Sequence, residues 1–126
     1  MLSLLLDEHI SPVVAEQARR KFPGIRITTL HNWRDGQFLG SSDDVFLPEA
    51  LKSGLTLGTY DQRTIRPLLK RWMEQDVHHG GVIFVDAKMI APQDFGGLVT
   101  ALGRLWKSER RAPWKNRVVF LRRQSA

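Results

Sequence analysis

The apolar stretch from Met1 to Leu6 breaks off at Asp7-Glu8-His9, and Ser11-Pro12 follows at once. A short apolar run of this kind reads as a buried central strand. Two later runs finish on an acid in the same way: Leu55, Leu57 and Thr59 lead to Tyr60-Asp61, and Val82-Ile83-Phe84-Val85 leads to Asp86. Ligands of open α/β sheets collect outside the carboxyl ends of the strands. Carboxylates gathered there repel one another unless something neutralises them. A hard divalent cation does so. Mg²⁺ takes one or two carboxylates directly, keeps several waters, and activates one of those waters against a phosphodiester. The residue types therefore point to a divalent-metal site that cuts nucleic acid, built from Asp7, an acid near Asp44, Asp61 and Asp86. Either Asp86 or Glu8 would orient the water.

Plainer roles compete at each position. Asp43 or Asp44 serves as a helix cap, Glu8 as a solvated side chain, and Asp86 as the start of a turn. His9 either supports the site or caps the following helix. His78 and His79 are adjacent, so they lack the spacing of a helical metal pair, and they read as a turn.

The elements that must position these acids alternate. Val14, Ala18 and Phe22 recur every four residues from Ser11 to Phe22, a helical face with Pro12 in its first turn and Pro23-Gly24 at its end. Ile25, Ile27 and Thr29 alternate with Arg26 and Thr28 as a second strand, and His31 to Ser41 reads as a loop. A helix capped by Ser41 or Ser42 follows, with Asp43 and Asp44 in its first turn. Pro48 lies too deep for that turn, so this helix is expected to be kinked or to begin late. Ile65, Leu68, Leu69, Trp72 and Met73 make a clear helical stripe from Thr64 to Gln75. Phe95, Leu98, Val99, Leu102, Leu105 and Trp106 make the strongest one, and Val118-Val119-Phe120-Leu121 is the last strand. The βαβαβαβαβ order predicts an α/β fold: one Rossmann-like three-layer α/β/α domain over residues 1–126 with a mostly parallel five-stranded sheet. Right-handed crossovers narrow the topology further.

Composition sets outer bounds. The 126 residues carry no cysteine, which rules out disulfides and thiolate metal sites and fits a reducing cytoplasm. No apolar run approaches the length of a membrane span, and the N-terminus is not expected to be a signal peptide. The net charge of +6 is uneven: residues 104–126 hold eight basic side chains and one acid, Glu109, and the rest of the chain is close to neutral. A basic end on a neutral body suggests a surface for a polyanion, or else a solvated tail. Arg63, Arg66, Arg110, Arg111, Lys115, Arg122 and Arg123 are the candidate phosphate contacts. Trp33 and Trp114 suit base stacking or burial against the sheet. The chain has no GxxxxGK[ST], GxGxxG or GxSxG segment, so nucleotide-binding and serine-hydrolase readings lack a motif.

Leu4-Leu5-Leu6-Asp7-Glu8-His9, Ser42-Asp43-Asp44, Thr59-Tyr60-Asp61 and Gly80-Gly81-Val82-Ile83-Phe84-Val85, in that order, resemble the short bacterial PIN-like proteins. Thr59-Tyr60-Asp61-Gln62-Arg63-Thr64-Ile65, Gly96-Gly97-Leu98-Val99 and Trp114-Lys115-Asn116-Arg117-Val118-Val119-Phe120-Leu121 look like one subgroup. The resemblance implies a Rossmann-like fold and a Mg²⁺- or Mn²⁺-dependent nuclease site acting mostly on RNA, as in the toxin ribonucleases of toxin–antitoxin pairs. It implies that Asp7 and Asp61 are metal ligands, and that Asp44 is the helix-borne one, with Asp43 and Glu49 as substitutes. Arg63 departs from the pattern, since many relatives carry a further acid there. The partners implied are RNA, a small antitoxin-like protein and a second copy of the chain, in the cytoplasm and away from membranes. Two other classes remain: a PIN-like module with a degenerate site that binds nucleic acid or protein without cutting, and a phosphorelay receiver with Asp61 as phosphoacceptor. The receiver lacks the expected Ser or Thr after the fourth strand, which is followed by Asp86-Ala87, and the expected Lys after the fifth, which is followed by Arg122-Arg123.

Overall fold

A computed structural model describes residues 1–122. Its strands are β1 (Leu4–Leu6), β2 (Ile27–Thr29), β3 (Thr56–Thr59), β4 (Val82–Val85) and β5 (Val118–Leu121). Its helices are α1 (Pro12–Lys21), α2 (Asp43–Lys52), α3 (Gln62–Glu74) and α4 (Phe95–Glu109). The five strands form one all-parallel sheet in the order β2-β1-β3-β4-β5. The expected α/β architecture with a helical layer on each face is therefore observed.

Leu4, Leu5 and Leu6 are fully buried because β1 is central and covered on both faces. Leu4 and Leu6 join Ile83, Val85, α1 and α4 in one core cluster. Leu5 joins Leu57, Val82, Phe84, α2 and α3 in the other. Gly58 lies between the clusters' strands in register with Leu6. A methyl group there would meet the Leu6 side chain at 3.1 Å.

Handedness departs from the expectation. The step from β1 to β2 runs one way along the sheet and the step from β4 to β5 runs the other way. Yet α1 and α4 pack on the same face. These two connections are thus of opposite hand, while β2-α2-β3 and β3-α3-β4 share the hand of the first. Crossovers are right-handed in about 98% of cases, so β4-α4-β5 is the left-handed exception. A right-handed route would put three helices on one face and leave α1 alone on the other. The observed route gives two helices to each face. It also leaves the opposite face of β5 bare, with Val118 and Phe120 43% and 49% exposed.

Local signals explain the helix ends. The Ser11 hydroxyl accepts the Val13 N–H ahead of Pro12, and Asp61 and Asp94 cap α3 and α4 by accepting the N–H groups of Thr64 and Gly97. α2 does not begin late: it starts at Asp43 and continues as one helix through Pro48. Only the Asp44 carbonyl loses its intrahelical partner there, a smaller cost than giving up the buried Phe46, Leu47 and Ala50. Residues 31–41 form the expected loop, built as a chain of tight turns with Arg34 and Asp35 at positive φ.

The close approach of α1 and α4 depends on Gly103, where a Cβ would fall 2.0–2.3 Å from the Phe22 ring. Gly103→Ala is expected to destabilise the fold by about 1–3 kcal/mol through overpacking, read as a lowered urea midpoint. An unchanged midpoint would show that Phe22 moves aside freely.

Candidate functional site

The strand order reverses direction between β1 and β3, because the chain steps outward to β2 and then returns across β1. This is the switch point at which open α/β sheets form a crevice beyond the strand carboxyl ends. Asp7 follows β1 and Asp61 follows β3, so both strand-end acids belong to it. The Asp7 N–H donates to the Gly58 carbonyl at 3.0 Å, which continues the ladder one residue past β1.

Thr59 joins the two acids. Its fully buried hydroxyl donates to Asp7 Oδ2 at 2.6 Å and accepts the Asp61 N–H at 3.0 Å. Asp7, 6% exposed, takes a second hydrogen bond at Oδ1 from the Glu8 N–H at 2.7 Å. Asp61 Oδ1 caps α3 through Thr64. Each carboxylate oxygen has capacity beyond one such bond, so the contacts fix the side chains and leave lone pairs for a cation. Sequence reasoning took Thr59 only as the last residue of a strand. A hydroxyl at the strand end immediately before Tyr60-Asp61 was the available signal.

Of the two acids in the first turn of α2, Asp43 is the half-buried one that feels the charges of Asp7 and Asp61. Burial, then the charges of Asp7, Asp61, Asp44 and Glu8, push the Asp43 carboxyl up from the usual 3.8 to about 6. The buried face of α2 runs Phe46, Leu47, Ala50, and stepping back by helical spacing reaches position 43, not 44. That phase was readable from the sequence. Asp44 is exposed in the same first turn.

The other candidates lie elsewhere or serve structure. Asp86 is exposed at the end of β4 and accepts the Lys88 N–H at 2.9 Å, closing its own turn. Its charge does not figure among those acting on Asp43. Glu49 pairs with Arg34 at 3.2 Å and Lys52 at 3.5 Å, which hold its carboxyl below the usual range. Glu8 is half-buried, and its carbonyl meets His31 Nε2 at 2.9 Å; His9 is exposed beside it. His79 lies in the connection between α3 and β4, buried with Nδ1 accepting the Gly81 N–H, and burial lowers its pKa. Trp114 is core, and Trp33 stacks on Phe38 under Arg34.

The basic residues divide between the two sheet edges. Helices of a parallel α/β sheet run against the strands, so the end of α4 lies at the amino edge. The Leu2 N–H accordingly bonds the Arg110 carbonyl and the Asn116 N–H bonds the His79 carbonyl. Arg110, over the Trp106 ring, Arg111 and Lys115 are therefore at the edge opposite the acids. Arg63 and Arg66 on α3 and Arg122 after β5 belong to the acidic edge. Arg123 lies outside the described residues.

Among the described residues, Asp7, Asp43 and Asp61 form no ion pair with a basic side chain. Nor is any group of three or more Asp, Glu or His side chains among the described residues placed to hold a metal ion. Asp7, Asp43 and Asp61 are the residues that would hold a hard cation such as Mg²⁺, which needs only one or two direct carboxylates and brings its own waters. No helix among the described residues is long and apolar enough to cross a membrane. Comparison of the chain with family models, curated proteins and solved structures finds no match.

Two tests follow from this geometry. Thr59→Val should cost about 1–3 kcal/mol in urea unfolding, because it strips the buried Asp7 carboxylate and the Asp61 N–H of a partner at once; a loss well under that range would mean water replaces the hydroxyl. Asp43 holds its proton more tightly folded than unfolded, so its contribution to stability falls as pH rises from about 4 through about 6 and stays unfavourable above. Without metal at pH 7.5, Asp43→Asn should be more stable than the natural chain by about 1 kcal/mol, a fraction of the full conversion because water reaches the group. The difference should vanish near pH 4, and a variant no more stable at pH 7.5 would contradict the crowding of charge.

Proposed function

We propose that the chain is a Mg²⁺- or Mn²⁺-dependent endoribonuclease of the PIN-like type, with Asp7, Asp43 and Asp61 as its metal ligands. The observation that carries this reading is the crowding of Asp43 by the charges of Asp7 and Asp61 at the switch point of the sheet, where none of the three forms an ion pair among the described residues. Such an arrangement works against the fold unless a cation joins it. When bound, the ion supplies Lewis-acid polarisation of the phosphodiester and a water activated for attack.

The chain's own residues divide the remaining work. Thr59 ties Asp7 to the start of α3, so two of the proposed ligands are held in fixed relation to each other. Glu8, whose charge is also felt at Asp43, is placed to accept the proton released by the attacking water. Arg63, in the first turn of α3 directly after Asp61, is placed to hold a substrate phosphate. In this reading the acid that relatives carry at its position is replaced by a substrate contact. The cellular setting that agrees with it is a cytoplasmic toxin held in check by a small antitoxin-like protein, with a homodimer as the assembled form.

The purified chain with Mn²⁺ should cleave labelled single-stranded RNA, and EDTA should abolish cleavage. Asp7→Asn, Asp43→Asn and Asp61→Asn should each lower the rate at least ~100-fold, as expected for loss of a group supporting the reacting centre. Cleavage that survives all three substitutions would overturn the assignment. Salt-sensitive RNA binding without cleavage by the metal-loaded chain would favour the non-catalytic module instead.

A further inference from the structure

The bare face of β5 adjoins the flank of α3 through Lys70 with Val118 and Arg66 with Phe120, while Phe120 also lines a cavity with Arg104, Leu105, Ser108 and Arg122. This surface, termed the furrow, is one the acid cluster does not use. Its floor is Phe120, 49% exposed and tilted against the buried Phe84 ring at 5.5 Å, followed by Val118. Its wall is α3: the Arg66 guanidinium lies 5.7 Å from the Phe120 ring centre, and Lys70 lines a cavity shared with Val118. Arg63, Arg66 and Lys70 recur at helical spacing along one groove with Gln62 and Pro67. Arg122 follows β5 at the same end as Arg63. None of these four cations pairs with a carboxylate among the described residues. The furrow begins where α3 begins, next to Asp61.

We infer that this furrow binds a single-stranded polynucleotide, with one base stacked on Phe120 beside Arg66 and the backbone running along Arg63, Arg66 and Lys70 toward the acidic edge. The inference rests on the ribonuclease reading for its direction and substrate class, and on the furrow itself for its chemistry. An exposed aromatic ring backed by a second ring offers a rigid π-face, and unpaired cations beside it match a phosphate backbone. A duplex would keep its bases stacked away from Phe120, so the site selects single strands. The like charge of the rim disfavours a second copy of the same furrow as occupant.

The test is fluorescence anisotropy of a fluorescein-labelled twelve-nucleotide oligouridylate, titrated with the full chain in EDTA so that binding is read without hydrolysis. Phe120→Ala is expected to weaken binding roughly 5- to 100-fold, and Phe120→Trp to preserve it. Arg66→Ala should weaken binding and reduce its salt dependence by about one phosphate contact. Matching far-UV circular dichroism and melting temperatures keep the comparison to folded chains. Oligouridylate binding that depends on Phe120 in a chain that cleaves no RNA would support the furrow and sink only the nuclease reading. The inference is overturned if the alanine and tryptophan variants both bind like the natural chain. It is equally overturned if the natural chain fails to bind the probe but forms a dimer that Phe120→Ala dissociates.

Discussion

Between β1 and β3 the chain reverses the direction in which it lays down strands, and the acidic edge depends on that reversal. A sheet built in one direction would carry Asp7 and Asp61 past each other on successive crossovers covered by helices. The reversal instead opens a crevice where two strand ends are neighbours and no connection passes between them. α2 then enters from β2 with its buried face in phase with Asp43. Asp7 and Asp61 stand at neighbouring strand ends held by the sheet ladder, and Asp43 on α2 feels the charge of both.

That convergence costs stability, and the rest of the site is arranged to sustain it. The Thr59 hydroxyl serves Asp7 on one side and the Asp61 N–H on the other, so the buried carboxylate is satisfied without a neutralising arginine. Asp43 bears the strain as a carboxyl held near pH 6. Two fully packed cores flank the strained edge, which is how a fold carries a locally unfavourable cluster of charge. The exceptional hand of β4-α4-β5 has a separate consequence. It balances the helical layers and leaves Phe120 uncovered beside the cations of α3.

Much of this was readable in the residues. Short apolar runs ending on acids fixed β1, β3 and β4 and the edge they share, and the stripes of α3 and α4 gave both helices almost to their ends. Asp43 and Asp44 looked interchangeable in sequence; one residue on a helix is a turn of about 100°, and the phase of Phe46, Leu47 and Ala50 shows that Asp43 is the one turned inward. The basic C-terminal segment looked like one surface because charge was counted along the chain. The direction of α4 sends Arg110, Arg111 and Lys115 to the far edge. Pro48 looked disruptive because a missing N–H is visible in sequence, whereas the burial that outweighs it is tertiary. The hand of the last crossover depends on which face needs covering, and no local pattern encodes that.

The central claim is that Asp7, Asp43 and Asp61 share one divalent ion. A crystal of the chain soaked in Mn²⁺ and measured at the manganese absorption edge tests it directly. The account predicts an anomalous peak bounded by those three carboxylates, with Asp86 and Glu49 away from it. A peak elsewhere, or carboxylates at positions 7 and 61 turned to separate partners with no density between them, would contradict it.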